Sequence, residues 1–133
     1  MSRSGESDLR ALLANLNPEM QEGVFVFVTI PDAEKIPEEI DQILQFREDE
    51  GRTLILPRNQ AEAAGLEYSF PCRHIILTVH SHLSAVGLLA HVTALLSEAG
   101  ISVNVVSGYY HDHLFVPLKS AEKALRVLKS LHS

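Results

Sequence analysis

Leu54-Ile-Leu-Pro57 and Leu114-Phe-Val-Pro117 are the two stretches that decide the fold, because they are one motif whose prolines lie 60 residues apart. Each stretch is an apolar run that ends in proline, and each is followed by Ala-Glu-x-Ala, at Ala61–Ala64 and at Ala121–Ala124. A short apolar run closed by proline is typical of a strand, and an alanine-rich stretch is typical of a helix. The repeat therefore predicts the same strand-to-helix junction in both halves of the chain.

The segments around this repeat predict the other elements. The predicted strands cover Val24–Ile30, Ile43–Arg47, Arg52–Leu56, Arg73–Val79, Ile101–Ser107 and His113–Val116. The predicted helices run from Leu9 to Leu16, from Asn59 to Ala64, from Ser84 to Ala99 and from Ser120 to Leu131, with the two serines as N-caps. The segment from Asp32 to Ile40 is expected to be a turn or a short helix, and Gly51 suits a tight hairpin. The order of elements is therefore βαββα, twice.

This order predicts an α+β, ferredoxin-like fold in each half, with an antiparallel sheet and helices on one face. We expect two units, at residues 1–70 and 71–133. Neither unit has an obvious fourth strand of its own. Tyr68–Phe70 could form the fourth strand of the first unit, whereas the sequence of the second unit ends at Ser133, directly after its helix. We therefore expect the units to share a core or exchange strands, unless a partner chain covers the open edge.

The composition excludes several classes of protein. A chain of 133 residues that is 46% hydrophobic and 21% charged is expected to be ordered. Its net charge of −6 disfavours binding to nucleic acid, and a lone Cys72 rules out an internal disulfide. We expect Cys72 to be a small buried hydrophobe. No apolar run reaches the ~20 residues that span a bilayer, and no signal peptide is evident at the start. These features predict a soluble cytoplasmic protein with no membrane partner.

The stretch from Thr78 to Ala90, followed by Glu98-Ala-Gly-Ile-Ser102, resembles the core of an ACT domain, a regulatory module that binds small molecules. The family pattern is a strand, a loop ending in Gly-Leu-Leu, a helix, and a Gly-Ile turn into the next strand. The run Asn104–Pro117 is similar to bacterial proteins with tandem ACT units, which are related to the ACT modules of arginine sensors. The resemblance covers roughly Arg52–Leu131, and the first half resembles an ACT domain only in the order of its elements.

The resemblance implies a protein that binds an amino acid between ACT units, at a dimer or pseudo-dimer interface, without catalysis and without a cofactor. Ser84-Ala-Val-Gly87 stands where most ACT domains carry Asp-Arg-Pro-Gly, so the usual polar contacts of that loop do not carry over. Gly87 does carry over, as a point where the backbone can approach a ligand closely. Asp112 matches an acidic position that faces the ligand amine in the arginine-sensing relatives.

The predicted binding site lies where Val79–Gly87 meets Asn104–Asp112. Backbone N–H groups at the start of the helix would take the α-carboxylate of an amino acid, and Asp112 would take its ammonium group. The predicted ligand-binding residues are His80, Ser81, Ser84, Val86, Gly87, Asn104, Val106, His111 and Asp112. The expected partners are this small molecule and a second copy of the chain.

Two alternatives belong to other classes of function. The first is an interaction module whose repeats pair into a structural homodimer without a ligand. The second is a small metal-dependent protein that uses His111-Asp112-His113 together with His80 and His82. Histidines at strand ends and turns are usually solvated, and no helix-based metal motif is present, which disfavours the metal reading. Serine hydrolysis is disfavoured too, because the chain has no Gly-x-Ser-x-Gly elbow.

Overall fold

The computed structural model describes residues 9–78 and 87–132. Its strands are β1 (Asn17–Met20), β2 (Phe25–Ile30), β3 (Leu44–Glu48), β4 (Gly51–Pro57), β5 (Ser69–Thr78), β6 (Asn104–Ser107) and β7 (Asp112–Pro117). Its helices are α1 (residues 9–14), α2 (Arg58–Ala63), α3 (Leu88–Glu98) and α4 (Ala121–Lys129). Short 3-10 turns follow β7 at Leu118–Ser120 and α4 at Ser130–His132. In the described ranges, no helix is both long and apolar enough to cross a membrane.

The predicted strands and helices are confirmed, with ends that differ by a few residues. Ser120 does precede α4, but its side chain makes no capping hydrogen bond, and the other predicted cap, Ser84, lies outside the described residues. The segment 31–43 between β2 and β3 contains turns and no helix, in line with the proline that interrupts it. Cys72 is fully buried, as expected for a small hydrophobe.

The chain forms two compact units whose boundaries do not follow the middle of the sequence. One, which we call the inserted unit, contains Glu22–Arg73. The other, the outer unit, contains the described residues up to Gln21 and those from His74 onward. The predicted units, residues 1–70 and 71–133, divide the sequence by its internal repeat, and this division stays a prediction.

The sheet of the inserted unit has the order β3-β4-β2-β5. β2 pairs antiparallel with β4 along its whole length, from Phe25 opposite Pro57 to Ile30 opposite Arg52. Its other edge meets the first part of β5, where Phe25 lies opposite Cys72. The core of this unit contains alternate residues of β2 and β4, one alanine of α2 and one isoleucine of the segment between β2 and β3: Val26, Val28, Ile30, Leu54, Leu56, Ala61 and Ile40. One face of the sheet therefore packs on α2.

The outer unit has the strand order β6-β7-β5, and β1 pairs with β5 as well. β1 is antiparallel to the second part of β5, with Asn17 opposite Thr78 and Met20 opposite Ile75. The sequence analysis did not predict this strand, because four residues that include a proline carry no strand signal. Proline is tolerated on an edge strand, where its missing N–H removes no ladder bond. The N-terminal segment thus supplies the fourth strand that the second repeat lacks.

The core of the outer unit joins these strands to α3 and α4. Its buried residues are Leu16, Ile75, Leu77, Leu88, Val92, Leu96, Ile101, Leu114, Val116, Ala121, Ala124 and Leu128. Three leucines of the N-terminal segment, Leu9, Leu12 and Leu13, pack against this cluster. α1 therefore belongs to the core of the unit that β1 completes.

The repeated motif adopts the same local structure in both units. Pro57 ends β4 with φ −60° and ψ 137°, and Pro117 ends β7 with φ −54° and ψ 140°. Ala61 and Ala121, the first alanines of the two motifs, are both buried under their sheets. The strand-to-helix junction predicted from the repeat is confirmed.

The β3–β4 hairpin depends on a glycine. Gly51 has a φ of 149°, and a Cβ atom added there would lie 2.9 Å from the carbonyl oxygen of Ile30. We expect Gly51→Ala to lower the free energy of unfolding by roughly 1–3 kcal/mol, because it adds a steric clash to an unfavourable backbone conformation. Gly65→Ala is the matched control, since Gly65 also has a positive φ (68°) but no atom within 4 Å of its added Cβ. Denaturant unfolding followed by circular dichroism measures both, and equal losses would contradict the steric argument.

Candidate functional site

The β6–β7 hairpin contains the second half of the predicted site. Ser107 and Asp112 are the last pair of its ladder, and the backbone N–H of Gly108 donates to the carbonyl oxygen of His111 at 2.9 Å. The two residues at the tip, Tyr109 and Tyr110, are each 79% exposed, and their ring centroids lie 5.0 Å apart. A closed turn thus presents two aromatic rings to solvent, directly beside a half-buried aspartate.

Two predicted residues of β6 lie on the sheet face opposite the helices. Asn104 is opposite Phe115, and Val106 is opposite His113, so each pair shares one face of the sheet. Val105 packs on the helix-side core, and its neighbours in β6 must point the other way because side chains alternate along a strand. Asn104 lies about 10 Å from Ser107 at the end of β6, at three residues of strand rise, and is therefore farther still from the hairpin tip.

A buried histidine, His74, and a half-buried one, His113, form a pair under this hairpin. The Nε2 atom of His74 is 2.8 Å from the Nδ1 atom of His113, and the two rings stack at 5.1 Å between centroids. His74 also stacks on Phe115, at 4.8 Å and with 12° between the ring planes. Only 8% of the His74 surface is exposed. Since one nitrogen must donate and the other accept, the contact requires at least one ring to be neutral.

The surroundings favour the neutral form of both rings. Burial, followed by the proximity of His113, lowers the pKa of His74 to about 4. Burial and the proximity of His111 lower the pKa of His113, and the carboxylate of Asp112 opposes this shift. At neutral pH the pair is therefore an uncharged, hydrogen-bonded stack that joins β5 to β7. It leaves the negative charge of Asp112 without a cationic neighbour in the pair.

The hairpin tip lies at the same edge of the sheet as the end of β5. β5 leads into α3, and α3 returns along the sheet to β6, so β5 and β6 run in the same direction. β7 is antiparallel to β6 and lies between them. The end of β5 at Thr78 is consequently next to the beginning of β7 at Asp112.

The predicted site residues fall into three groups. His111 and Asp112 lie together at the hairpin, and Val106 is one residue before the end of β6. Gly87 is the residue before α3, with a φ of 90°, and a Cβ atom added there would lie 3.4 Å from Cδ2 of Leu9 in α1. His80, Ser81, Ser84 and Val86 lie outside the described residues.

Several residues of this region were missed by the sequence analysis. Only the pairing of β5 with β7 brings His74 and Phe115 into this region. The available signal for His74 was a histidine inside an apolar strand, and that for Tyr109 and Tyr110 was an aromatic pair at a predicted turn. The pairing of the strands in the folded chain brings these residues together.

The described residues offer little support for a metal centre. Within residues 9–78 and 87–132, no three His, Cys, Asp or Glu side chains come together in a way that could hold a metal ion. His113 is engaged with His74, and the other histidines of the metal hypothesis, His80 and His82, lie outside the described ranges.

Cys72 donates from its thiol to the carbonyl oxygen of Phe25 at 3.3 Å, and burial raises its pKa to about 12. It is therefore a protonated thiol at neutral pH.

Comparison with known families accounts for this architecture. A family model described as an ACT domain matches residues 4–73, and a second ACT domain model matches residues 69–130. The chain belongs to the ACT domain family. The two matches show that its ACT domains are arranged in tandem, and ACT domains are typically regulatory modules that bind ligands. No curated protein matches the sequence.

Solved structures share the tandem ACT fold. A Vibrio cholerae protein of unknown function, described as a possible transport protein, is 43% identical, with 97% of this chain and 99% of that chain covered and a TM-score of 0.89. A protein from Agrobacterium tumefaciens is 20% identical, with coverages of 88% and 89% and a TM-score of 0.71. The regulatory subunit of aspartate kinase from Thermus thermophilus is 12% identical, with coverages of 87% and 96% and a TM-score of 0.65. The ferredoxin-like ACT fold predicted from the sequence is confirmed.

The lowered histidine pKa values predict acid sensitivity. A folded pKa near 4 against an ordinary value of 6.5 means that the unfolded chain binds a proton first, so stability falls as the pH drops from about 6.5 to 4. The slope for one proton is at most about 1.4 kcal/mol per pH unit. We expect His74→Gln to flatten this part of the curve, since glutamine does not titrate.

Denaturant unfolding at several pH values measures these slopes. His91→Gln is the matched control, because His91 is exposed on α3 and its loss should leave the pH dependence of the wild type unchanged. Parallel curves for the wild type and His74→Gln would show that the buried pair does not cause the acid sensitivity.

Proposed function

We propose that this ACT protein is a non-enzymatic regulatory module that binds an amino acid where the segment 79–87 meets the β6–β7 hairpin. The observation that carries the proposal is the hairpin itself, in which the half-buried carboxylate of Asp112 lies beside Tyr109 and Tyr110. A fixed carboxylate suits an ammonium group, and exposed aromatic rings suit the aliphatic part or the charge of a ligand. Membership of the ACT family supports the same class of function.

The electrostatics of the hairpin favour a ligand with positive charge at this end. The His74–His113 pair is neutral at pH 7, so it does not offset the charge of Asp112. The N-terminus of α3, after Gly87, provides backbone N–H groups toward the same sheet edge, which suits the α-carboxylate of an amino acid. The binding role predicted for His80, Ser81, Ser84 and Val86, and for Asn104 and Val106 on β6, is part of this proposal, as is a site between ACT units.

The remaining parts of the proposal concern the cellular location of the protein and its binding partners. We place the protein in the cytoplasm, on the basis of its single buried cysteine and its composition. The net charge of −6 favours small molecules and protein over nucleic acid as partners. No cofactor is needed for a module of this kind.

Thermal unfolding in the presence of each of the twenty amino acids tests the amino-acid proposal. An amino acid that binds only the folded chain adds about 2.7 kcal/mol of stability at 100 times its Kd, which raises the Tm by several degrees. We expect Asp112→Asn to abolish the rise produced by the best amino acid. Asp49→Asn is the control, since Asp49 is an exposed aspartate in the turn of the other hairpin. A wild type that responds to none of the twenty, or an Asp112→Asn variant that responds fully, would contradict the proposal.

An interaction module is the second candidate function, and a specific surface supports it. β3 is the last strand of the inserted unit's sheet. Phe46 on this strand exposes 61% of its surface, and Ile43, directly before the strand, exposes 45%. An edge strand with exposed apolar side chains is suited to pairing with another chain. We propose that a second copy of the chain covers this edge, which is compatible with amino-acid binding in the outer unit.

Sedimentation or light scattering tests this dimer. We expect the wild type to behave as a dimer and Phe46→Lys to shift it to a monomer, because a lysine at that position would bring a charge into the pairing edge. Leu118→Lys is the control, since Leu118 is also exposed (38%) but lies after β7 in the outer unit. A monomeric wild type, or a variant whose mass does not change, would rule out a dimer through this edge.

A further inference from the structure

The inserted unit contains a cavity, open to solvent, that none of the preceding arguments uses. Its volume is about 460 Å³, within the range of small-molecule sites. It is lined by Phe27, Thr29, Leu66, Glu67, Tyr68 and Ser69. All six residues belong to Glu22–Arg73, so the cavity is separate from the hairpin site of the outer unit.

The cavity exists because β2 continues past the start of β5. In the described pairing, Phe27 lies opposite Ser69, the first residue of β5, whereas β2 runs on to Ile30 alongside β4. Two hydrogen bonds attach the chain that precedes β5 to α2, and Leu66 and Tyr68 of this connector pack against the core of the unit. The backbone N–H of Leu66 donates to the carbonyl oxygen of Ala61 at 2.9 Å, and the Tyr68 hydroxyl donates to Glu62 Oε2 at 3.0 Å. The space between this tethered connector and β2 is the cavity.

A residue with a strained backbone follows the last lining residue, Ser69. Phe70 has a φ of 58°, and among the described residues other than glycine it alone has a positive φ. It lies where the register between β2 and β5 shifts, which is typical of a β-bulge. Its ring contacts Phe27 edge to face, with 5.6 Å between centroids, and so supports one wall of the cavity. Strained backbone of this kind concentrates at ligand sites and switches.

The lining defines the chemistry of the occupant. Phe27 provides a half-buried aromatic surface, and Thr29 and Ser69, both exposed on the same face of the sheet, provide hydroxyl groups. Leu66, also half-buried, borders the cavity from the helix side. Glu67 is the one carboxylate in the lining. The Tyr68 hydroxyl donates to Glu62, and this hydrogen bond raises the pKa of Tyr68, so the Tyr68 side chain is neutral. A carboxylate beside an aromatic face suits an organic cation, which gains both an ion pair and a cation–π contact.

We propose that this cavity is a second ligand site that binds a small protonated amine with an apolar body. The apolar body packs on the ring of Phe27, and the ammonium group donates to the carboxylate of Glu67 and to the hydroxyl oxygens of Thr29 or Ser69, which share the Phe27 face of the sheet. The site goes beyond the proposed function, since it lies in the other unit and shares no residue with the hairpin.

The probe for this site is phenethylamine, which carries an ammonium group on an aromatic body. The full chain, labelled with 15N, is titrated with phenethylamine and separately with 3-phenylpropionate, an anion with a similar apolar part. We expect the amine to shift the amide signals of Thr29 and Glu67–Ser69, and the anion to leave them in place. Equal shifts with both probes, or shifts confined to other segments, would overturn the proposal.

Variants then test the role of the carboxylate. Glu67→Gln should weaken the binding of phenethylamine about tenfold, since a hydrogen bond to a charged group exceeds a neutral one by roughly this factor. Glu39→Gln is the matched control, because Glu39 is an exposed glutamate of the same unit and does not line the cavity. Equal affinities for these two variants would remove Glu67 from the site. Asp112→Asn should leave phenethylamine binding unchanged, so this test and the amino-acid test fail independently.

Discussion

The hydrogen bonding of β5 is the constraint on which both units depend. Its first part pairs with β2, with Cys72 opposite Phe25, and its second part pairs with β1, with Thr78 opposite Asn17. A βαββα segment has only three strands of its own, and the fold needs four to cover its helices. One long strand of ten residues closes the sheet of the inserted unit and begins that of the outer unit. β1 then completes the sheet of the outer unit through its pairing with β5.

This arrangement explains why the N-terminal segment is ordered against the end of the chain. Leu16 is fully buried in the same cluster as Leu128 of α4, although 112 positions separate them. Pro18, opposite Leu77, is buried as well. Burial of such residues stabilises contacts that close a very long loop, whose entropic cost rises only slowly with its length. The order of the strands in space is therefore unlike their order in the sequence.

The same strand positions the chemistry of the outer unit. His74 lies at the point where β5 enters that unit, and its pairing with His113 joins β5 to the base of the β6–β7 hairpin. A neutral histidine pair in this position stabilises the hairpin without adding charge beside Asp112. The exposed tyrosines are thus presented by a turn whose base is held by buried, uncharged stacking.

The sequence by itself determined the elements and the family. The Pro57 and Pro117 motifs predicted two equal junctions, and the Gly87-Leu-Leu and Gly100-Ile pattern indicated an ACT domain, because periodicity, caps and turn residues are local signals. It also placed Asp112 at a turn. Only the tertiary structure decided that Asn17–Met20 is a strand, since that segment gains its conformation from pairing with β5 and not from its own propensity. The meeting of His74 with His113, and the cavity beside Phe27, are likewise products of long-range pairing, which no local pattern encodes.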